Sequence, residues 1–166
     1  MARTDVKITL YKSEIIYDVQ NKTYITGRSR QTGDNHEQVA NMQANNDEEN
    51  LNQILRSIGT AYDYMKAKMA EFMTGKDEDG NDILLNISGN ITVSLSLPEN
   101  YNKATVDSIA SALHNIIVNK AIADWFTLTN KADAADYAAA AASEVNILRE
   151  ALNKRTRPVR NTSNLS

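Results

Sequence analysis

The acidic segment from Gly75 to Asp82 carries the residue types of a calcium-binding loop. An EF-hand loop needs oxygen ligands at its first, third and fifth positions, glycine at the sixth and a bidentate glutamate at the twelfth. If Gly80 takes the sixth position, Gly75 takes the first and offers no side-chain ligand, and the last position has no carboxylate. We therefore expect a solvated turn at Asp79-Gly80 and no metal site.

Two other patterns could serve catalysis or zinc binding. Tyr62 and Lys66 have the spacing of the Tyr-x-x-x-Lys pair of short-chain dehydrogenases, but the chain has no glycine-rich dinucleotide loop after a strand. His36 and His114 have no cysteine or second histidine at ligand spacing, and neither is placed to act as the base of a catalytic triad. The sequence therefore predicts a protein that is not an enzyme and that binds no cofactor.

A basic cluster near the C-terminus consists of Lys154, Arg155, Arg157 and Arg160. It could contact nucleic-acid phosphates, or it could bind an acidic neighbouring protein. Alternatively it forms a solvated tail in which the cations favour the negative end of the last helix. We take these four residues as candidate assembly contacts.

Helical periodicity dominates the chain from residue 51 onwards. Large apolar residues recur there at steps of four and three, which places them on one face of a helix: Leu51, Leu55, Ile58, Tyr62, Met65, Met69 and Phe72. Similar spacing predicts two closing helices, over residues 103–126 and 131–155. An earlier helix is expected to begin at Ser13 and to end by Gly27.

Two segments alternate between apolar and polar residues, as strands do. Val6, Ile8 and Leu10 predict a short edge strand or an extended arm. Residues 83–97 predict a β-hairpin that turns near Gly89, or one long bent strand after a turn at Asp79-Gly80. An isolated hairpin is marginal in water, so helices or another copy must cover its apolar face. Its candidate assembly contacts are Ile87, Ile91, Val93 and Leu95.

These elements predict a mainly α fold: a bundle of about four helices with one β-hairpin inserted between the second and third long helices. We expect a single domain over residues 1–155. A polar run over residues 28–46 has few apolar groups to bury, so it predicts a mobile connector. The basic tail over residues 156–166 contains Pro158 and is expected to be flexible.

Composition narrows the class of protein further. The chain has 166 residues, 42% of them hydrophobic and 6% aromatic, so either neighbouring subunits complete part of its core or part of the chain is extended. A net charge of −3 does not favour a nucleic-acid or membrane partner for the whole domain. The absence of cysteine fits a reducing compartment, and no segment has the apolar length of a signal peptide or a membrane span. We expect a soluble protein that is made and kept inside a cell, at least until assembly, and that has no membrane partner.

Three short segments carry a resemblance to known proteins: Asp124-Trp125-Phe126, the positions Tyr137, Leu148 and Leu152, and the run Lys154-Arg155-Thr156-Arg157-Pro158-Val159-Arg160. With the opening Tyr17 to Tyr24, they resemble small head-to-tail connector or neck proteins of tailed phages and prophages of Bacteroidales, including crAss-like phages.

The resemblance implies a structural protein of the virion, made in the cytoplasm of the bacterial host. It would form a ring of identical subunits as a head-to-tail adaptor, a connector or a tail-completion ring. Its partners would be other copies, portal or tail components and, through the basic tail, DNA phosphates. Two alternatives remain open: a bacterial interaction or scaffold domain, and a regulator that binds nucleic acid through the tail.

Overall fold

The computed structural model describes residues 2–75, 80–83 and 89–159. Within these residues the chain is mainly helical, with five α-helices and a two-stranded antiparallel sheet. In chain order the elements are β1 (Arg3–Leu10), α1 (Lys12–Ser29), α2 (His36–Met42), α3 (Glu48–Met69), β2 (Ile91–Pro98), α4 (Val106–Thr129) and α5 (Lys131–Leu152). The predicted mainly α class is confirmed: α1, α3, α4 and α5 are the long helices, and the short α2 is additional.

Helix α4 forms the centre of the bundle. It packs against α5, α3, α1 and α2, and it also contacts β1. A helix that is apolar on all sides is stable only when other elements surround it. The periodicity predicted one apolar side, but the buried positions lie around the whole helix and include Ile116, Ile122 and Phe126, each 0% exposed.

Helix α3 confirms the helical pattern in the middle of the chain, with its buried face turned slightly from the predicted stripe. Ile58, Met65 and Met69 are buried as expected, and Ile54, which the stripe omits, is also 0% exposed. Leu55 is only half-buried. The reason is that α4 contacts the side of α3 that carries Ile54, Ile58 and the small residue Ala61.

The sheet corrects the predicted hairpin. Strand β2 lies where the alternating pattern placed a strand, between the second and third long helices, and among the described residues its strand partner is β1. The two strands are antiparallel, with Arg3 opposite Pro98 and Leu10 opposite Ile91. Residues 84–88, including Ile87, lie outside the described residues. β1 has the same alternation of apolar and polar residues as β2. The paired strands therefore present one apolar face to the helices, although they lie far apart in the sequence.

The predicted connector over residues 28–46 packs against the bundle. Helix α1 continues through Ser29, and α2 lies within the segment. The backbone N–H of Ala44, which is 0% exposed, donates to the Thr23 hydroxyl at 3.0 Å. The Trp125 indole N–H donates to the Met42 carbonyl at 2.8 Å. Polar groups elsewhere in the bundle therefore bind this segment, and its expected mobility stays a prediction.

Candidate assembly surfaces

The outer edge of β1 is the first candidate surface. The Glu99 N–H donates to the Ala2 carbonyl at 3.2 Å, in the same register as the β1–β2 pairs. Hydrogen-bonded and non-hydrogen-bonded pairs alternate along an antiparallel ladder. The even-numbered residues of β1 therefore bond to β2, and the backbone groups of Arg3, Asp5, Lys7 and Thr9 point away from it.

Two features of β2 agree with this assignment. Pro98, which has no N–H, stands at a non-hydrogen-bonded position opposite Arg3. The Ser94 carbonyl points away from β1 and accepts a hydrogen bond from the Thr74 N–H at 3.0 Å. Met73 also forms a bridge with Leu95. The outer edge of β2 is thus partly covered, whereas no residue in the described part of the chain pairs with the outer edge of β1.

The apolar residues predicted as hairpin contacts lie inside the chain's own core. Ile91 is 4% exposed, and Val93 and Leu95 are both 0% exposed. Helices of the same chain cover this face of the sheet, so these side chains are not available to a neighbouring subunit. Their prediction as assembly contacts is corrected, and the position of Ile87 lies outside the described residues.

The basic tail begins as an extended segment bound to the end of β2. Arg155 bridges with Tyr101, and the Thr156 N–H donates to the Asn100 carbonyl at 2.9 Å. Lys154 pairs with Glu150 at 3.2 Å, and the Arg155 guanidinium donates to the Leu152 carbonyl at 2.9 Å. These two cations therefore stabilise the C-terminal end of α5.

The other two predicted tail contacts have different outcomes. Arg157 is exposed beyond the bound stretch. Arg160 lies outside the described residues, so its predicted contact stays a prediction.

A second surface, which the sequence analysis missed, lies on α1. Tyr17 and Tyr24 are seven residues apart on one side of the helix and are 61% and 40% exposed. Ile25 beside them is 56% exposed, and the Arg28 guanidinium lies 5.7 Å from the centre of the Tyr24 ring. We call these four residues the α1 tyrosine surface. Exposed tyrosine and arginine are typical of protein interfaces, and the seven-residue spacing was the signal in the sequence that could have found it.

Polar side chains between the helices form ion pairs rather than an open site. The Arg30 guanidinium donates to both Asp133 carboxylate oxygens, at 3.1 and 2.6 Å, and so ties the end of α1 to the start of α5. Asn130 also donates to Asp133, at 2.6 Å. The hydrogen bond from Arg30 holds the pKa of the Asp133 carboxyl below its usual value, although burial acts in the opposite direction. The same hydrogen bond raises the pKa of Arg30.

The Asp133 pair makes stability depend on pH. Because the pKa of Asp133 is lowered in the folded state, its contribution is complete above the unfolded value of about 4 and disappears as the pH falls through the folded value. We expect Asp133→Asn to cost about 1–3 kcal/mol near pH 7. The difference from wild type should shrink below about pH 4. Thermal unfolding of both proteins between pH 3 and pH 7 measures this.

The matched control for this prediction is Arg30→Gln, which removes the hydrogen-bonding cation and keeps the carboxyl. It should weaken the same part of the pH dependence, because the pKa of Asp133 then moves back toward its ordinary value. A difference between wild type and Asp133→Asn that stays constant across the whole range would contradict the assignment.

The two histidines are held by neighbouring side chains. His114 Nε2 and Asp18 Oδ2 lie 2.5 Å apart and link α4 to α1. His36 Nδ1 lies 2.7 Å from the Gln31 amide nitrogen in the segment between α1 and α2. No group of three or more His, Cys, Asp or Glu residues in the described part of the chain could hold a metal ion. The acidic turn considered above lies largely in residues 76–79, outside that part.

Comparisons with protein-family models, with curated proteins and with solved structures gave no match. Among the residues that the structure describes, no helix is long and apolar enough to cross a membrane.

Proposed function

We propose that the chain is a non-enzymatic structural subunit of a tailed-phage particle, placed in a ring between head and tail. The observation that carries the proposal is the phage-like sequence at the end of α4, along α5 and into the basic tail. That resemblance covers less than a third of the chain.

The residues of the resemblance hold the bundle together. Asp124 accepts a hydrogen bond from Ser57 of α3 at 2.6 Å, and Trp125 binds the carbonyl of Met42. Phe126 packs against Tyr137 with ring centres 5.4 Å apart. Because these contacts join α4 to α2, α3 and α5, a resemblance at these positions concerns residues that pack the bundle.

The surfaces of the molecule also support a role in assembly. Subunits of a ring contact each other through two different patches, and the rotation between copies decides whether the ring closes. The outer edge of β1 and the α1 tyrosine surface are two such patches on one small domain. The exposed Arg157 and the following Arg160 would contact a portal or tail component, or DNA phosphates.

The composition of purified particles tests this proposal. We expect quantitative mass spectrometry to find the chain in virions at a fixed number of copies per particle, comparable to other ring components. A phage enzyme that acts only in the host cytoplasm is the control, since it must be absent from the same preparation. Recovery of the chain only from the cytoplasm would contradict the proposal and favour a bacterial interaction domain instead.

A further inference from the structure

The charges on the outer edge of β1 are arranged so that this edge is complementary to itself. Arg3, Asp5, Lys7 and Thr9 all have exposed side chains on the face of the sheet away from the helices. Their backbone N–H and C=O groups point outward, as derived above from the Glu99 to Ala2 hydrogen bond. A second strand that pairs with this edge must match both the backbone groups and the charges.

We propose that the partner is β1 of a second copy of this chain, paired antiparallel about a twofold axis through Val6. In this register Asp5 stands opposite Lys7 of the second copy, and Lys7 stands opposite its Asp5. Opposite charges across an antiparallel pair are favourable, and like charges are unfavourable. The outward-pointing groups of both strands would then exchange about eight backbone hydrogen bonds.

Neighbouring registers are disfavoured by the same charges. A shift by two residues one way places Asp5 opposite Asp5 and Arg3 opposite Lys7. The shift the other way places Lys7 opposite Lys7. A shift by one residue would bring outward-pointing groups against groups already bonded to β2, and would put apolar side chains on the solvent face. Charged residues on an exposed edge commonly prevent non-specific pairing. Here the register centred on Val6 places opposite charges across from each other and avoids like charges.

The apolar face of the sheet gives a second reason for this register. Val6 is 9% exposed, more than Ile8 or Leu10, which are both 4% exposed. The residues of β2 that lie opposite Val6 and Ile8 are 0% exposed. Antiparallel pairing about Val6 brings the two Val6 side chains together on the covered face. Two copies would then share one continuous antiparallel sheet with both apolar faces on the same side.

The dimer is a state of the chain before it enters a particle, which is beyond the proposed function. A twofold contact cannot belong to a purely cyclic ring, because a ring with one polarity uses two different patches at each contact. The dimer would therefore cover the edge of β1 until a neighbour in the particle replaces the second copy. Particle composition tests the proposed function, and the state of the purified chain tests the dimer.

Sedimentation of the purified full-length chain over a range of concentrations is the test. We expect a monomer–dimer equilibrium that Lys7→Glu weakens by about tenfold, because it places two acidic residues opposite each other at two symmetric positions. Asp5→Lys should weaken it similarly by bringing lysines together. An equimolar mixture of the two variants should restore dimers, because each acidic edge then meets a basic one.

Two controls separate this contact from general effects on charge or folding. Thr92→Glu changes the same face of the sheet on β2, away from the outer edge of β1, and should leave the equilibrium unchanged. Thr9→Pro removes an outward-pointing N–H that the β1–β2 ladder does not use, and should weaken the dimer without a change in charge. A wild-type chain that stays monomeric overturns the inference. Dimers that persist unchanged in Lys7→Glu and Asp5→Lys, or a mixture that restores nothing, also overturn it.

Discussion

Phe126→Ala is expected to lower the free energy of unfolding by about 3–5 kcal/mol, the largest effect of a single substitution that we predict. Phe126 is 0% exposed, and its ring packs edge-to-face on Tyr137 at an interplanar angle of 67°. The Tyr137 hydroxyl in turn lies 2.7 Å from the Thr26 hydroxyl. The substitution therefore opens a cavity at the point where α1, α4 and α5 meet.

Urea unfolding, followed by far-ultraviolet circular dichroism, measures this effect. The corresponding fall in Tm should be on the order of 10 °C for a chain of this size. Leu128→Ala is the matched control, because Leu128 lies on the same helix and is 67% exposed. It should change stability by less than about 0.5 kcal/mol. Equal effects of the two substitutions would contradict the burial of Phe126 between α4 and α5.

Ile54→Ala and Ile58→Ala are expected to cost about 2–5 kcal/mol each. Both side chains are 0% exposed between α3 and the rest of the core. Leu55→Ala should cost distinctly less, about 1 kcal/mol, because the half-buried Leu55 loses less contact area. These variants distinguish the two orientations of α3. The periodic stripe in the sequence includes Leu55 and omits Ile54, whereas in the structure Ile54 is buried and Leu55 is only half-buried.

The same unfolding measurement separates these three variants. Arg56→Ala is the control at an exposed position between them, and it should stay within about 0.5 kcal/mol of wild type. If Leu55→Ala costs as much as Ile54→Ala or more, α3 packs through the face that the sequence stripe predicted, and its orientation in the bundle must be revised.

The long helices could be predicted because their signals are local. Apolar residues that recur every three or four positions place α3, α4 and α5 within a few residues of their observed bounds. What the periodicity did not reveal is which neighbour covers each face. The middle of α4, over residues 112–126, is surrounded on all sides, and that follows from the arrangement of other helices rather than from its own pattern.

The sheet could be predicted only as two separate strands. The alternation of Val6, Ile8 and Leu10 and that of residues 91–97 are both visible in the sequence. Their pairing depends on α1, α2 and α3 folding back to bring the two ends together, which no local pattern encodes. Assigning a local partner to β2 led to the expectation that Ile91, Val93 and Leu95 were contacts for a neighbour, whereas they belong to the core.

The segment after α1 has contacts that its composition does not reveal. Its residues bury little apolar area, which predicts mobility. The structure adds specific polar contacts with Thr23, Trp125 and Asp133, and a close approach of α2 to Gly27, where a Cβ would lie 3.2 Å from the Val39 carbonyl. The α1 tyrosine surface was missed for a related reason, because only the packing of the other face of α1 shows that its tyrosines are left outside.

Imaging of intact particles at a resolution that reveals helices tests the proposed function most directly. The account predicts repeated copies of this bundle in a ring between the head and the tail, with the outer edge of β1 or the α1 tyrosine surface at the contact between copies. Particles in which every density of the head-to-tail region belongs to other proteins, together with a cytoplasmic location of this chain, would contradict it.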